Sequence, residues 1–142
     1  MPRAIRDQYP HFQTMTTRWR DNDMFGHINN VVYLEYVDTC VNNWLLSGPL
    51  DVLNGPIIGL AVDTACTYHA SLTFPDPIDV GLRTTRIGNT SVSYEVSLFA
   101  PGTPDAAATA SFIHVYVDRT TYQPTSLSEN FRQHLSQLTS IE

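Results

Sequence analysis

The sequence has 142 residues, of which 42% are hydrophobic and 15% are charged, a balance that favours one folded domain over a disordered chain. Its formal net charge of −6 disfavours non-specific nucleic-acid binding, because neutralising phosphates requires a basic surface. The chain has no apolar run long enough to cross a bilayer and no signal-peptide segment, so we expect a cytoplasmic protein without membrane contact.

The first predicted elements are one strand and one long helix. Residues 11–20 form the strand, and residues 31–46 carry apolar and polar side chains at helical spacing on separate faces. Residues 47–49, Ser-Gly-Pro, are a typical end for such a helix. Because only one stripe of the helix is polar, we expect a sheet to wrap around it.

Four strand-like segments follow the helix. They comprise residues 57–68, 78–87, 91–99 and 107–118. Gly88 and Asn89 form a hairpin signal between the second and third segments, and a short amphipathic helix is predicted over residues 128–138. A helix followed by consecutive antiparallel strands is an α+β pattern, but its periodicity does not establish the strand order.

The densest group of reactive side chains lies where the first strand leads into the long helix. Asp21 and Asp23 precede His27, and Asn29 and Asn30 stand at the helix start. The free N–H groups and positive dipole end of a helix start can polarise a carbonyl oxygen. A nearby carboxylate can then attack that carbonyl or activate water. These residues therefore predict a reaction centre at the helix start.

Each of these residues also allows a structural interpretation. Asp23 suits a turn or a helix cap, and both Asn29 and Asn30 can cap the helix. Gly26 can serve a tight turn, and Tyr33 can pack in the core instead of lining a pocket. The histidines and cysteines have no metal-ligand spacing, so we expect no metal site.

The run Asp21-x-Asp23-x-x-Gly26-His27-Ile28-Asn29-Asn30-x-x-Tyr33 resembles the signature of hot-dog-fold acyl-CoA thioesterases of the 4-hydroxybenzoyl-CoA thioesterase type. Segments 85–92 and 112–118 agree with it, and the resemblance covers roughly residues 12–131 of one domain, 1–142. It implies an α+β hot-dog fold, a curved antiparallel sheet wrapped around one long central helix. It also implies a homodimer, or a tetramer built from two dimers, with active sites at the subunit interface.

The resemblance assigns a reaction and roles to these residues. It implies hydrolysis of an acyl-CoA thioester to a free carboxylic acid and CoA, without a metal or an organic cofactor. Asp23 is the implied nucleophile or general base, and an amide close to Asn30 polarises the thioester carbonyl. His27 is expected to orient the carboxylate or contact the thioester. We expect substrate contacts from Gly26, Asn29 and Tyr33, and a structural role for Asp21, which can stabilise the loop or orient Arg18 or Arg20.

The predicted hairpin at Gly88 and Asn89 is the implied site of CoA contacts. Four residues stand where relatives often contact CoA: Arg86, Asn89, Thr90 and Ser91. Some relatives carry a dense basic cluster there, whereas only Arg86 is charged in this chain. Arg83, Arg119 or a partner subunit are the other candidates for phosphate contacts.

Three alternatives stay open at this point. A hot-dog hydratase or dehydratase acting on enoyl or hydroxyacyl thioesters also uses an Asp and a His, although the Gly-His-Ile-Asn-Asn continuation favours a thioesterase. A non-catalytic acyl-CoA binding module would have no need for Asp23. Some hot-dog thioesterases place the catalytic carboxylate on the helix, where Glu35 is the candidate. The sequence does not specify the acyl group.

Overall fold

A computed structural model describes residues 3–139, in which one antiparallel sheet has the strand order β1-β3-β4-β5-β2. The strands are β1 (His11–Met15), β2 (Ile57–Tyr68), β3 (Ile78–Ile87), β4 (Ser91–Phe99) and β5 (Ala108–Asp118). The helices are α1 (Asn30–Leu46) and α2 (Glu129–Leu135). The predicted domain, residues 1–142, extends beyond this part of the chain, so residues 1–2 and 140–142 lie outside the described residues.

Helix α1 packs against the inner face of the sheet and forms the main core with it. The helix is buried along one side through Tyr36, Val37, Cys40, Val41 and Trp44. Strand β4 has four fully buried residues on its inner face, as its sequence predicts: Val92, Tyr94, Val96 and Leu98. At its end the other face is buried as well, through Ser97 and Phe99. Each apolar side chain buried in this way contributes roughly 1.5–3 kcal/mol to folding. The predicted α+β architecture is confirmed.

The element bounds differ from the sequence prediction at a few ends. The first strand stops at Met15 instead of residue 20, because Trp19–Asp21 forms a 3-10 turn. The Asp21 carboxylate accepts the Arg18 backbone N–H at 2.9 Å, and the Asp21 N–H donates to the Arg18 carbonyl at 2.9 Å. This reciprocal pair closes the turn and ends the extended backbone. The C-terminal helix ends at Leu135 and continues as a 3-10 turn, Ser136–Leu138.

The pairing of the strands defines two ends of the sheet. At one end Tyr68 of β2 lies opposite Ala108 of β5, and at the other Ile57 lies opposite Asp118. Strand β3 starts at the Tyr68 end of the sheet and runs to its hairpin with β4 at the Ile57 end. No helix within residues 3–139 combines the length and the apolar character that a membrane span requires.

The core contains a small polar network on β4 and β5. The Tyr94 and Tyr116 hydroxyls are 2.7 Å apart, and the His114 Nδ1 atom is 3.2 Å from the Tyr116 hydroxyl. His114 is 2% exposed and is surrounded by aromatic rings, including Phe112 at 4.9 Å between centroids. Burial lowers the pKa of His114 to about 4, so the imidazole is neutral at pH 7.

Candidate active site

A short hydrogen-bonded loop holds Asp23 beside the start of α1. The Asp23 N–H donates to the His27 carbonyl at 2.8 Å, and the Gly26 N–H donates to the Asp23 carbonyl at 3.1 Å. The Phe25 N–H donates to Oδ1 of Asp23 at 2.8 Å, while Oδ2 has no hydrogen-bond donor among residues 3–139. Gly26 has a φ of +80°, which a residue with a side chain adopts only with strain. The loop therefore orients the carboxylate and leaves one oxygen available.

The start of α1 presents one backbone amide without a partner. Asn29 is the N-cap, and its side chain accepts the Val31 N–H at 3.2 Å while its carbonyl accepts the Val32 N–H at 2.9 Å. The Asn29 N–H donates to the Asp21 carbonyl at 2.8 Å. The Asn30 N–H has no acceptor in the described part of the chain. It is therefore free to bind an oxygen, and it lies at the positive end of the helix dipole.

These groups meet at a cavity of about 380 Å³. Its lining residues are Asp23, His27, Ile28, Asn30, Tyr33, Tyr68, His69, Ala70 and Ser71. The structure thus brings together four residues that the sequence predicts for the site: Asp23, His27, Asn30 and Tyr33. Gly26 and Asn29 do not line the cavity; they shape the loop and cap the helix, as their structural interpretation predicts.

The end of β2 forms one wall of the cavity, which no motif in the sequence predicts. The Tyr68 hydroxyl donates to the Asn30 carbonyl at 2.9 Å, and its ring meets the Tyr33 ring edge-on at 5.0 Å between centroids. Burial raises the pKa of Tyr68 to about 12, so the hydroxyl keeps the proton that this bond needs. Tyr68 therefore links the last residue of β2 to the first residue of α1 through a hydrogen bond.

Asp21 has the predicted structural role and lies outside the cavity lining. Its side chain is 1% exposed and accepts hydrogen bonds from Arg18 and from the Tyr36 hydroxyl. Burial acts to raise the pKa of Asp21, but the hydrogen bonds from Tyr36 and Arg18 outweigh it and hold the pKa below its usual value. A buried carboxylate tied to two partners supports the loop and has no free oxygen for chemistry.

Glu35, the alternative catalytic carboxylate, is also occupied elsewhere. Arg18 Nη2 lies 2.8 Å from Glu35 Oε2, and Arg20 lies 4.0 Å from Glu35 Oε1. Glu35 does not line the cavity. This placement favours Asp23 as the reacting carboxylate.

The predicted CoA-contact residues do not join the cavity within one chain. Arg86, Asn89, Thr90 and Ser91 lie around the β3–β4 hairpin, at the opposite end of the sheet from Tyr68. Ser91 pairs with Val115 of β5, and Val115 pairs with Leu60 of β2. Leu60 is eight residues before Tyr68, which is roughly 26 Å along the strand at about 3.3 Å per residue. These four residues therefore do not reach the Asp23 cavity of the same chain. Within residues 3–139, no group of three or more His, Cys, Asp or Glu residues is placed to hold a metal ion.

Comparison with known proteins gives a consistent family and fold. The model of the thioesterase-like superfamily matches residues 17–135. The PA5185 protein from Pseudomonas aeruginosa is 46% identical, with 98% of each chain covered and a TM-score of 0.94. A thioesterase from Thermus thermophilus, solved with coenzyme A and zinc, is 25% identical, with 93% of this chain and 96% of that chain covered and a TM-score of 0.76.

A more distant structure shares the fold. The 1,4-dihydroxy-2-naphthoyl-CoA thioesterase from Synechocystis is 17% identical, covers 89% of this chain and 96% of its own, and has a TM-score of 0.79. A search of curated protein sequences finds no match. The predicted hot-dog fold, with its sheet around one long helix, is confirmed.

Proposed function

The chain belongs to the thioesterase-like superfamily, and we propose that it hydrolyses an acyl-CoA thioester to a free carboxylic acid and CoA. The observation that carries this proposal is the cavity in which the Asp23 carboxylate and the free Asn30 N–H lie together. Coenzyme A bound to the Thermus thermophilus relative supports a CoA ester as the substrate.

In the proposed reaction the thioester carbonyl points at the Asn30 N–H. One such N–H contributes on the order of 3 kcal/mol when it stabilises the oxyanion that forms. In one route, the free Asp23 oxygen bonds to the carbonyl carbon, and the C–S bond breaks with its electron pair leaving on the CoA sulfur. Water then cleaves the mixed anhydride and restores the carboxylate. In the other route, Asp23 removes a proton from the water that attacks the carbonyl carbon, the C–S bond then breaks, and the CoA sulfur takes up that proton.

Two further residues have proposed roles on the cavity wall. The exposed His27 imidazole contacts the thioester region or orients the Asp23 carboxylate, and its own carbonyl already fixes the Asp23 backbone. Tyr33 and Tyr68 form an aromatic corner beside Asn30, which we assign to the acyl group.

The experiment that tests the function is a panel of short, long, branched and aryl acyl-CoA esters, with release of free thiol as the readout. Thiol release that depends on the enzyme supports the proposal. Incubation with crotonyl-CoA distinguishes a thioesterase from a hydratase. Hydration removes the enoyl absorbance without releasing thiol, and that result would identify the protein as a hydratase.

We also propose that the active unit is a homodimer formed through the outer edge of β2. Within residues 3–139 this twelve-residue strand pairs only with β5, and Asp63 is the only charged residue in its sequence. Leu60 and Val62 are 38% and 59% exposed. A long, exposed and nearly uncharged edge strand is suited to pair with another strand. Antiparallel pairing with a second copy brings the hairpin end of that copy towards the cavity, which accounts for the distance between Arg86 and Asp23 in one chain.

Val62→Lys should convert this dimer to monomers, because a lysine on an edge strand opposes strand pairing. Asn130→Lys adds the same charge at an exposed position of α2 and should leave the assembly unchanged. Sedimentation at low micromolar concentration measures both variants. A wild-type protein that sediments as an active monomer contradicts the proposal.

Arg86→Ala should raise the KM for a CoA thioester several-fold and leave kcat nearly unchanged, because a contact to the nucleotide phosphates is equally strong in the ground and transition states. A short pantetheine thioester has no nucleotide phosphates and serves as the matched control. A sharp fall in kcat at constant KM would show that the assigned role is wrong.

A further inference from the structure

Two other cavities adjoin the Asp23 cavity along the segment His69–Ser71, which follows β2. The cavity on the outer side of the sheet is about 320 Å³ and has His69 and Arg3 on its wall. A third cavity of about 260 Å³ is lined by Ala70 and Ser71, and again by Arg3. The three cavities share residues of this segment, and the line of cavities from Asp23 past the segment to Arg3 is here called the path.

The backbone of the segment has unused hydrogen-bonding capacity. The His69 and Ala70 N–H groups both donate to the Ala107 carbonyl, at 2.8 and 3.0 Å. Within the described chain, the Ser71 N–H and the carbonyls of all three segment residues have no protein partner. Free backbone groups next to a strand edge can pair with an extended ligand that carries amides. The pantetheine arm of CoA is such a ligand, with two amide groups in a thin chain.

Arg3 places a positive charge at the end of this path. Its Nε donates to the Ala106 carbonyl at 2.6 Å, and its terminal nitrogens have no hydrogen bond or salt bridge among residues 3–139. Arg83 also borders the outer cavity, but its charge is neutralised by Glu95. Arg3 therefore has no ion pair among residues 3–139, although Asp105 also borders the third cavity, and a guanidinium group binds phosphate oxygens through two parallel N–H bonds.

We propose that the path from the Asp23 cavity to Arg3 is a coenzyme A subsite. The backbone of His69–Ser71 pairs with the pantetheine amides, and Arg3 binds a phosphate group at the nucleotide end. This inference rests on the proposed function and adds a phosphate contact within the same chain as Asp23. It is separate from the contact assigned to Arg86, which reaches the cavity only from a second copy.

Steady-state kinetics of Arg3→Gln and Arg3→Lys test the subsite, with a CoA thioester and the pantetheine thioester of the same acyl group as substrates. Arg3→Gln should raise the KM for the CoA ester about 5- to 10-fold at nearly constant kcat, as expected for one exposed charge-assisted contact. The KM for the pantetheine ester should not change. Arg3→Lys loses the Nε bond to the Ala106 carbonyl but keeps the positive charge. If Arg3 binds a phosphate, this variant should therefore retain most of the affinity for the CoA ester.

Arg20→Gln is the control variant, because Arg20 is 73% exposed and lies away from all three cavities. An unchanged KM in Arg3→Gln, or an equal change for both esters, would overturn the subsite and leave the hydrolase function standing. If the wild-type protein releases no thiol from any ester, the proposed function fails instead. Calorimetric titration with CoA then tests the subsite alone. Weaker CoA binding by Arg3→Gln, with unchanged binding by Arg20→Gln, supports the subsite. Equal binding by the wild-type protein and Arg3→Gln, or no binding by the wild-type protein, overturns it.

Discussion

Replacing Asp23 with Asn should lower thioester hydrolysis by at least about 100-fold, the lower end of what a general base contributes. The substitution keeps the size of the side chain and an oxygen that can accept the Phe25 N–H, but it removes the carboxylate charge. Neither the nucleophilic route nor the general-base route proceeds with a neutral amide at this position. Thiol release from the best acyl-CoA substrate measures the loss.

Folding and assembly should survive this substitution. Asp23 is half-buried in a surface loop whose other hydrogen bonds do not use its carboxylate, so a neutral side chain leaves them intact. Circular dichroism and sedimentation of the Asp23→Asn variant check that the comparison is made on folded, assembled protein. Near-normal turnover in this variant together with an inactive Glu35→Gln would identify the helix carboxylate as the catalyst.

Asp21→Asn is expected to act on stability more than on chemistry. The structure shows why the two acids of the motif are not equivalent, because Asp21 is a buried anion that accepts bonds from Arg18 and Tyr36. Replacing the buried carboxylate with an amide weakens the hydrogen bonds that Tyr36 and Arg18 donate to it, whereas Arg18 keeps its ion pair with Glu35. The effect of the substitution on turnover is therefore interpretable only at a temperature and pH where the variant is fully folded.

The sequence predicted most of the fold because the elements have strong local signals. Three strand predictions, 57–68, 78–87 and 91–99, have the bounds of β2, β3 and β4 in the structure, and the main helix starts one residue earlier than predicted, at Asn30. The first strand was predicted five residues too long. Thr16, Thr17 and Trp19 are residue types that favour strands. The turn at Trp19–Asp21 instead depends on the hydrogen bonds between Asp21 and Arg18, which strand propensity does not encode.

The candidate site was predictable only where it is local. Asp23, His27 and Asn30 lie within eight residues, so the loop and the helix start alone bring them together. Tyr68 and His69 come from about forty residues further along, and only the order of the strands places them opposite the helix start. The same topology sends the hairpin of Arg86 to the far end of the sheet, which no local pattern reveals.

Acidification should destabilise the protein between about pH 6.5 and 4 through His114. Its pKa is about 4 in the folded state and about 6.5 in an unfolded chain, because burial among aromatic rings disfavours the charged imidazole. In this pH window the unfolded state binds a proton that the folded state does not, so stability falls as the pH falls. The expected loss in the free energy of unfolding is about 2 kcal/mol between pH 7 and pH 5. Urea unfolding at fixed protein concentration measures it.

A His114→Gln variant isolates this contribution. Glutamine does not titrate and keeps a polar group near the Tyr116 hydroxyl, so its stability should be lower overall but much less dependent on pH between 7 and 5. Burial also lowers the pKa of His11 and His134, so a smaller slope of the same sign should persist. The pKa of Asp21 is lowered from its usual value of 3.8, so the stability that its charged form contributes is lost only as the pH falls below about 3.8. Asp21 therefore does not contribute to the slope between pH 7 and pH 5. An unchanged slope in His114→Gln would show that the buried imidazole is not the group that couples folding to pH.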